Sequence, residues 1–105
     1  MKISLVLYKR TIKEVDIEFP FYYKSEYLGD GYWDESYVRV LEDGTRTMIT
    51  TDGDGCITLM KDKIDLRREI PEELFGEGES NTTQYEVISQ EDFMERYNKF
   101  IKEEI

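Results

Sequence analysis

Histidine is absent from this chain, and with it go the commonest general base and the commonest metal ligand. A serine or threonine nucleophile would need some other activating base, and the order of residues points to none. Cysteine occurs once, at Cys56, so no internal disulfide staples the fold, in keeping with a reducing compartment. No cationic neighbour in the sequence draws that thiol toward a reactive thiolate, so it reads as a small apolar residue. Long apolar runs are missing too. The amino-terminal stretch Ile3–Leu7 is interrupted by Ser4 and soon followed by Lys9-Arg10, which predicts neither a signal peptide nor a membrane span and places the chain in the cytoplasm. The glycines form neither a phosphate-binding loop nor a dinucleotide fingerprint. Asp52-Gly53-Asp54-Gly55 fails as a calcium loop, because setting Gly55 at the central glycine position leaves Lys61 where a bidentate glutamate is needed. No cofactor and no metal are therefore expected.

What is present suits one folded domain spanning 1–105. The chain has 105 residues, of which 39% are apolar and 13% aromatic, set against 36% charged, enough for a single modest core. The clearest element is at the end. Phe93, Met94, Tyr97, Phe100, Ile101 and Ile105 form one stripe of a 3.6-residue period. Ser89 with Asp92 three residues later resembles a capping box, and Glu91 and Asp92 face the positive end of the helix dipole.

Ahead of that helix the pattern is sheet. Lys2–Tyr8 and Ile12–Phe19 read as a first hairpin with a turn at Lys9 to Thr11, and Pro20 ends or bends the second strand. Tyr37–Glu42, Thr45–Thr51 and Cys56–Met60 read as a three-strand meander. A two-residue turn at Asp43-Gly44 would set Val40 opposite Thr47 and Val38 opposite Ile49. A bulge at one of the glycines 53 or 55 would then be needed to bring Ile57 and Leu59 onto the face of Val38 and Val40. Pro71 suits the first turn of a short helix through Phe75, stopped by Gly76. Residues 76–83 have nothing to bury and are expected to be a mobile acidic loop, and Gln84–Ile88 is a late strand. The fold class is α+β: a mainly antiparallel β-sheet, built from a hairpin, a meander and a late strand, with one long C-terminal amphipathic helix packed on one face.

Two features speak to function. Acids outnumber bases 24 to 14, and the excess is uneven: residues 1–68 carry net −2, residues 69–95 net −9 with no base at all, and residues 96–105 net +1. The block holds Glu69, Glu72, Glu73, Glu77, Glu79, Glu86, Glu91, Asp92 and Glu95. Such a field repels nucleic acid and anionic membrane and attracts a basic protein. Its plainer role is to solvate a loop and a helix face.

The second feature is a run of aromatics. Phe19, Phe21, Tyr22, Tyr23, Tyr27, Tyr32, Trp33 and Tyr37 lie within nineteen residues, interleaved with Glu26, Asp30, Asp34 and Glu35, around a turn at Gly29-Asp30-Gly31. Phe19, Phe21 and Tyr23 alternate as a buried strand face would. Tyr27, Tyr32 and Trp33, with Asp34, are the candidate contact residues, since tyrosine and tryptophan dominate interface hot spots. Together with Glu69, Glu72, Glu73, Glu77 and Glu79 they make the expected binding set. The sequence thus predicts a small, acidic, non-enzymatic protein-binding domain with a basic protein partner, an inhibitor of a nucleic-acid-binding protein or nuclease being one form. The alternatives are a structural subunit of a homo-oligomer or larger assembly, and a carbohydrate-binding domain built on Trp33.

Overall fold

The computed structural model describes residues 1–7, 11–29, 31–76 and 83–104, with side chains placed through 102. Seven strands precede one helix. They are β1 (Lys2–Val6), β2 (Ile12–Asp16), β3 (Phe21–Gly29), β4 (Tyr32–Val40), β5 (Thr45–Asp52), β6 (Ile57–Lys63) and β7 (Thr83–Val87), followed by α1 (Gln90–Glu104). A 3-10 turn covers Glu72–Phe75 and ends at Gly76 in the left-handed region, so the short helix expected after Pro71 is present in its tighter form.

β1 and β2 pair as a separate two-stranded hairpin. The other five strands form an antiparallel sheet in the order β6-β5-β4-β3-β7. The aromatic-rich stretch therefore supplies two full strands of nine residues each. The alternation of Phe21 and Tyr23 marks the start of the first of them, but its full extent is hidden in the sequence because Tyr22 is buried too, on the opposite face.

Both faces of the sheet are covered at one end. On one face α1 lays down Phe93, which has no exposed surface and packs with Tyr22 and Ile49. Full burial of such a ring contributes about 1.5–3 kcal/mol. The start of α1 is capped as the sequence indicates, the Asp92 N–H donating to Ser89 Oγ at 3.1 Å. Met94, Tyr97 and Phe100 follow Phe93 onto the sheet, whereas Ile101 is left exposed. On the other face Tyr23, Val38 and Val40 are buried under Phe19, Phe21, Ile64, Leu66 and Leu74. Most of those residues also pack against Ile3, Leu5, Val15, Ile17 and Ile70, so the β1–β2 hairpin forms an outer layer. The chain is layered as helix, sheet and hairpin.

The register of the meander differs from the sequence expectation by one residue. Val40 pairs with Arg46 and Val38 with Met48, in place of Thr47 and Ile49. The cause is the turn: Gly44 N–H donates to Leu41 O, Leu41 N–H donates to Thr45 O, and Gly44 takes φ +88°. That is a three-residue loop closed by a left-handed glycine, where a two-residue loop was expected. The β5–β6 turn repeats it, with Gly55 N–H donating to Asp52 O, Asp52 N–H to Cys56 O, and Gly55 at φ +83°. In consequence Ile57 and Leu59 lie on the face of Ile49 and Tyr37. They are not brought round to Val38 and Val40, because a one-residue slip exchanges the faces.

Candidate functional site

Among the described residues the packed layers end before the sheet does. Beyond Tyr23 and Val38, the strands β3, β4 and β5 continue to the β3–β4 and β5–β6 turns, and here the candidate residues converge. Tyr27 lies directly opposite Asp34, and Asp34 directly opposite Asp52. Directly opposed residues of an antiparallel ladder share a face, so Tyr27, Asp34 and Asp52 form one row across three strands. Tyr32 is two residues before Asp34 on the same strand and thus on the same face. Its ring centroid is 6.0 Å from that of Tyr27, at an interplanar angle of 53°, the tilted arrangement that aromatic pairs favour. The Tyr32 side chain is exposed, the other three half-buried.

Trp33 belongs to the opposite face. It pairs with Leu28, and Leu28 is 60% exposed, so an indole and a leucine lie side by side on the helix-bearing face. The open end therefore presents apolar and aromatic surface on both sides of the sheet.

Its electrostatics are one-sided. The carboxylates of Asp43, Asp62, Asp65 and Glu35 are each within 4 Å of a lysine or arginine nitrogen. Among the described residues, Asp34, Asp52 and Asp54 have no such cation. Asp52 is held rigidly, its Oδ1 accepting from the N–H groups of Asp54 and Cys56 at 2.9 and 3.0 Å, and this is why the turn residues stand where they do. Partial desolvation, then the charges of Asp34, Asp52 and Asp54, push the Tyr32 hydroxyl above its ordinary pKa. All three carboxylates thus act on one phenol.

Of the residues gathered at this end, the sequence singles out Tyr27, Tyr32, Trp33 and Asp34 as candidates. It misses Asp52 and Asp54, which serve their turn so well that nothing marks them as neighbours of Tyr32; only the β4–β5 register does so. The acidic block is divided by the fold. Glu69 is exposed and accepts from Asp65 N–H at 2.6 Å, while Glu72 and Glu73 sit half-buried on the 3-10 turn. That turn covers the hairpin side of the sheet. Glu86 pairs with Lys24 at 3.3 Å, and Glu91, Asp92 and Glu95 belong to α1 on the other side. Glu77 and Glu79, and the mobile loop expected around them, lie outside the described residues.

Elsewhere, a recess of about 150 Å³ runs beside the helix, lined by Tyr37, Asp92, Glu95, Arg96 and Lys99. Arg96 spans it, bonded to Glu35 at 3.0 Å with its guanidinium 4.6 Å from the Tyr37 ring centroid. The recess is smaller than the usual ligand cleft. Among the described residues no group of three or more acids or cysteines is placed to hold a metal ion, and no helix is long and apolar enough to cross a membrane.

No protein-family model, curated protein or solved structure matches this chain.

Proposed function

We propose that this chain is a small, acidic, non-enzymatic binding domain whose partner is a basic protein, engaged through the open end of the sheet. The observation that carries the reading is the concentration there of aromatic surface and of carboxylate without a cation among the described residues: exposed Tyr32 and half-buried Tyr27 and Trp33 with Asp34, Asp52 and Asp54. Aromatic side chains offer large contact area at low entropic cost. Carboxylates without an internal cation partner give up no ion pair on binding, and a net charge of −10 steers a cationic partner toward the surface. The same charge disfavours nucleic acid as a direct ligand. A nucleic-acid-binding protein, such as a nuclease, is the partner class whose cationic groove best complements this end, so the finer proposal is an inhibitor that occupies such a groove.

The test is capture from native extract on two baits, the wild-type protein and a D34N/D52N/D54N variant that keeps one acceptor oxygen at each position, including the one that Asp54 N–H and Cys56 N–H use at residue 52. A basic protein held by the wild type at low salt, released at moderate salt and lost from the variant is the expected result. Equal retention on both baits sinks the reading. A homogeneous oligomer of the bait, with nothing else retained, would favour a structural subunit; the free outer edge of β6, with Leu59 and Met60 exposed, is where such copies would pair.

A further inference from the structure

The row Tyr27–Asp34–Asp52 contains a feature that packing does not explain. Asp34 and Asp52 are direct cross-strand partners, and like charges so placed, with Cβ atoms about 5 Å apart, destabilise a sheet. Elsewhere in this sheet a cation stands at such positions: Arg46 meets Asp62 in a two-pronged pair of 3.0 and 2.6 Å, Lys24 meets Glu86, and Glu35, which opposes Glu26, is bonded to Arg96 at 3.0 Å. At Asp34 and Asp52 no cation of the described residues intervenes. Beside the two carboxylates stand the Tyr32 and Tyr27 rings, tilted to one another on the same face.

Resting on the basic-partner reading, we infer that this row is a receptor for a guanidinium group, the side chain of an arginine on the partner. A planar guanidinium stacks on an aromatic face while its N–H edges reach carboxylates in the same plane, so one group meets both demands of the row. An ammonium is a compact, strongly hydrated point charge and cannot stack in this way. A calcium ion takes about six to eight oxygen ligands, and among the described residues no three acids are placed to hold one metal ion. Below the row, Ser25, Ser36 and Thr50 bring hydroxyls to the same face, Ser36 and Thr50 bonded to each other at 2.9 Å, which leaves the surface polar enough to receive a hydrated side chain.

The experiment uses the full chain, ¹⁵N-labelled, titrated with two short peptides of equal charge, one built on arginine and one on lysine. The arginine peptide should shift the amide signals of Tyr27, Tyr32, Asp34 and Asp52 and bind several-fold more tightly than the lysine peptide. D34N/D52N should weaken it more than tenfold and Y32A several-fold. Y32F, which keeps the ring, should bind as the wild type does, and E72Q/E73Q should have no effect. Equal affinity for the two peptides overturns the inference. So does an arginine peptide whose shifts fall on Glu72, Glu73 or α1, an outcome that leaves the basic-partner reading standing at another surface. Binding of neither peptide overturns it as well, and retention of a basic protein by the wild-type bait alone would then show that the broader reading survives without this contact.

Discussion

The two ends of the β3–β4 hairpin are made by the same two strands, yet they do opposite things with the same pleat. At the packed end, Phe21 opposes Val40 and Tyr23 opposes Val38, under a lid of Ile64, Leu66 and Leu74, with Phe93 on the other face. At the open end, Tyr27 opposes Asp34 and Leu28 opposes Trp33, and no layer of the described residues lies over them. One end earns stability from burial on both faces; the other holds aromatic rings in reach of solvent and carboxylates without cations. A sheet longer than its covering layers is thus divided into a part that folds the chain and a part available for contact.

That division predicts a hierarchy of effects. Phe93→Ala empties a site with no exposed surface and should cost about 3–5 kcal/mol, read by denaturant unfolding. Tyr32→Ala at the open end should stay within about 0.5 kcal/mol, as surface changes do. Comparable losses at both sites would erase the distinction between the ends.

The next effect is pH-dependent and belongs to the packed end. Burial, partly offset by Arg46, raises the Tyr23 hydroxyl to about 12 from an ordinary 10.0. A phenol that ionises later in the folded than in the unfolded state leaves stability intact below pH 10, and stability is lost as pH climbs from about 10 through about 12. The loss should be roughly 2–3 kcal/mol, and Tyr23→Phe should abolish that part of the alkaline slope. An unchanged slope in the phenylalanine variant would mean that the ring is not held in a dry environment.

The twin turns give a sharper, smaller test, since both glycines have positive φ and only one is crowded. A Cβ on Gly44 would stand 2.7 Å from the Ile64 backbone oxygen, whereas a Cβ on Gly55 would meet nothing within 4 Å. The left-handed backbone alone costs about 1–2 kcal/mol in each alanine variant, and Gly44→Ala should exceed Gly55→Ala by the added displacement of the chain at Ile64. Equal midpoints of unfolding would contradict the close approach. Smallest of all, Asp34→Asn should stabilise the fold by about 0.2–1 kcal/mol by relieving the pair with Asp52, while weakening partner binding. A variant that loses stability instead would show that Asp34 belongs to the packing.

Several of these features were legible in the residues. The terminal helix was, because a cap at Ser89 and a stripe from Phe93 are local signals that need no partner to be read. The pairing of the first two strands and the positions of both glycine turns, though not their loop length, were legible for the same reason, while the turn expected at Lys9 and Arg10 lies outside the described residues. β3 was legible only at its start, where Phe21 and Tyr23 alternate; burial of Tyr22 on the opposite face hides the rest of its period. The pairing of Val40 was missed by one residue, because Asp43-Gly44 suits a two-residue loop and a three-residue loop alike, and the choice falls to the register of the whole sheet.

The candidate site divides along the same line. Composition marked Tyr27, Tyr32, Trp33 and Asp34, but placed the strongest charge in the block from Glu69 to Glu95, whose described residues the fold distributes over both sides of the sheet. By itself the sequence determined the helix, the turns, the α+β class and the excess of acid, since each of these depends on residues within one or two turns of chain. Only the tertiary structure decided that Asp52 lies beside Asp34, that Trp33 faces away from Tyr32, and that the covering layers of the described residues stop short of this end of the sheet. Those relations join residues far apart in sequence, and they are set by strand register and by how far the covering layers reach.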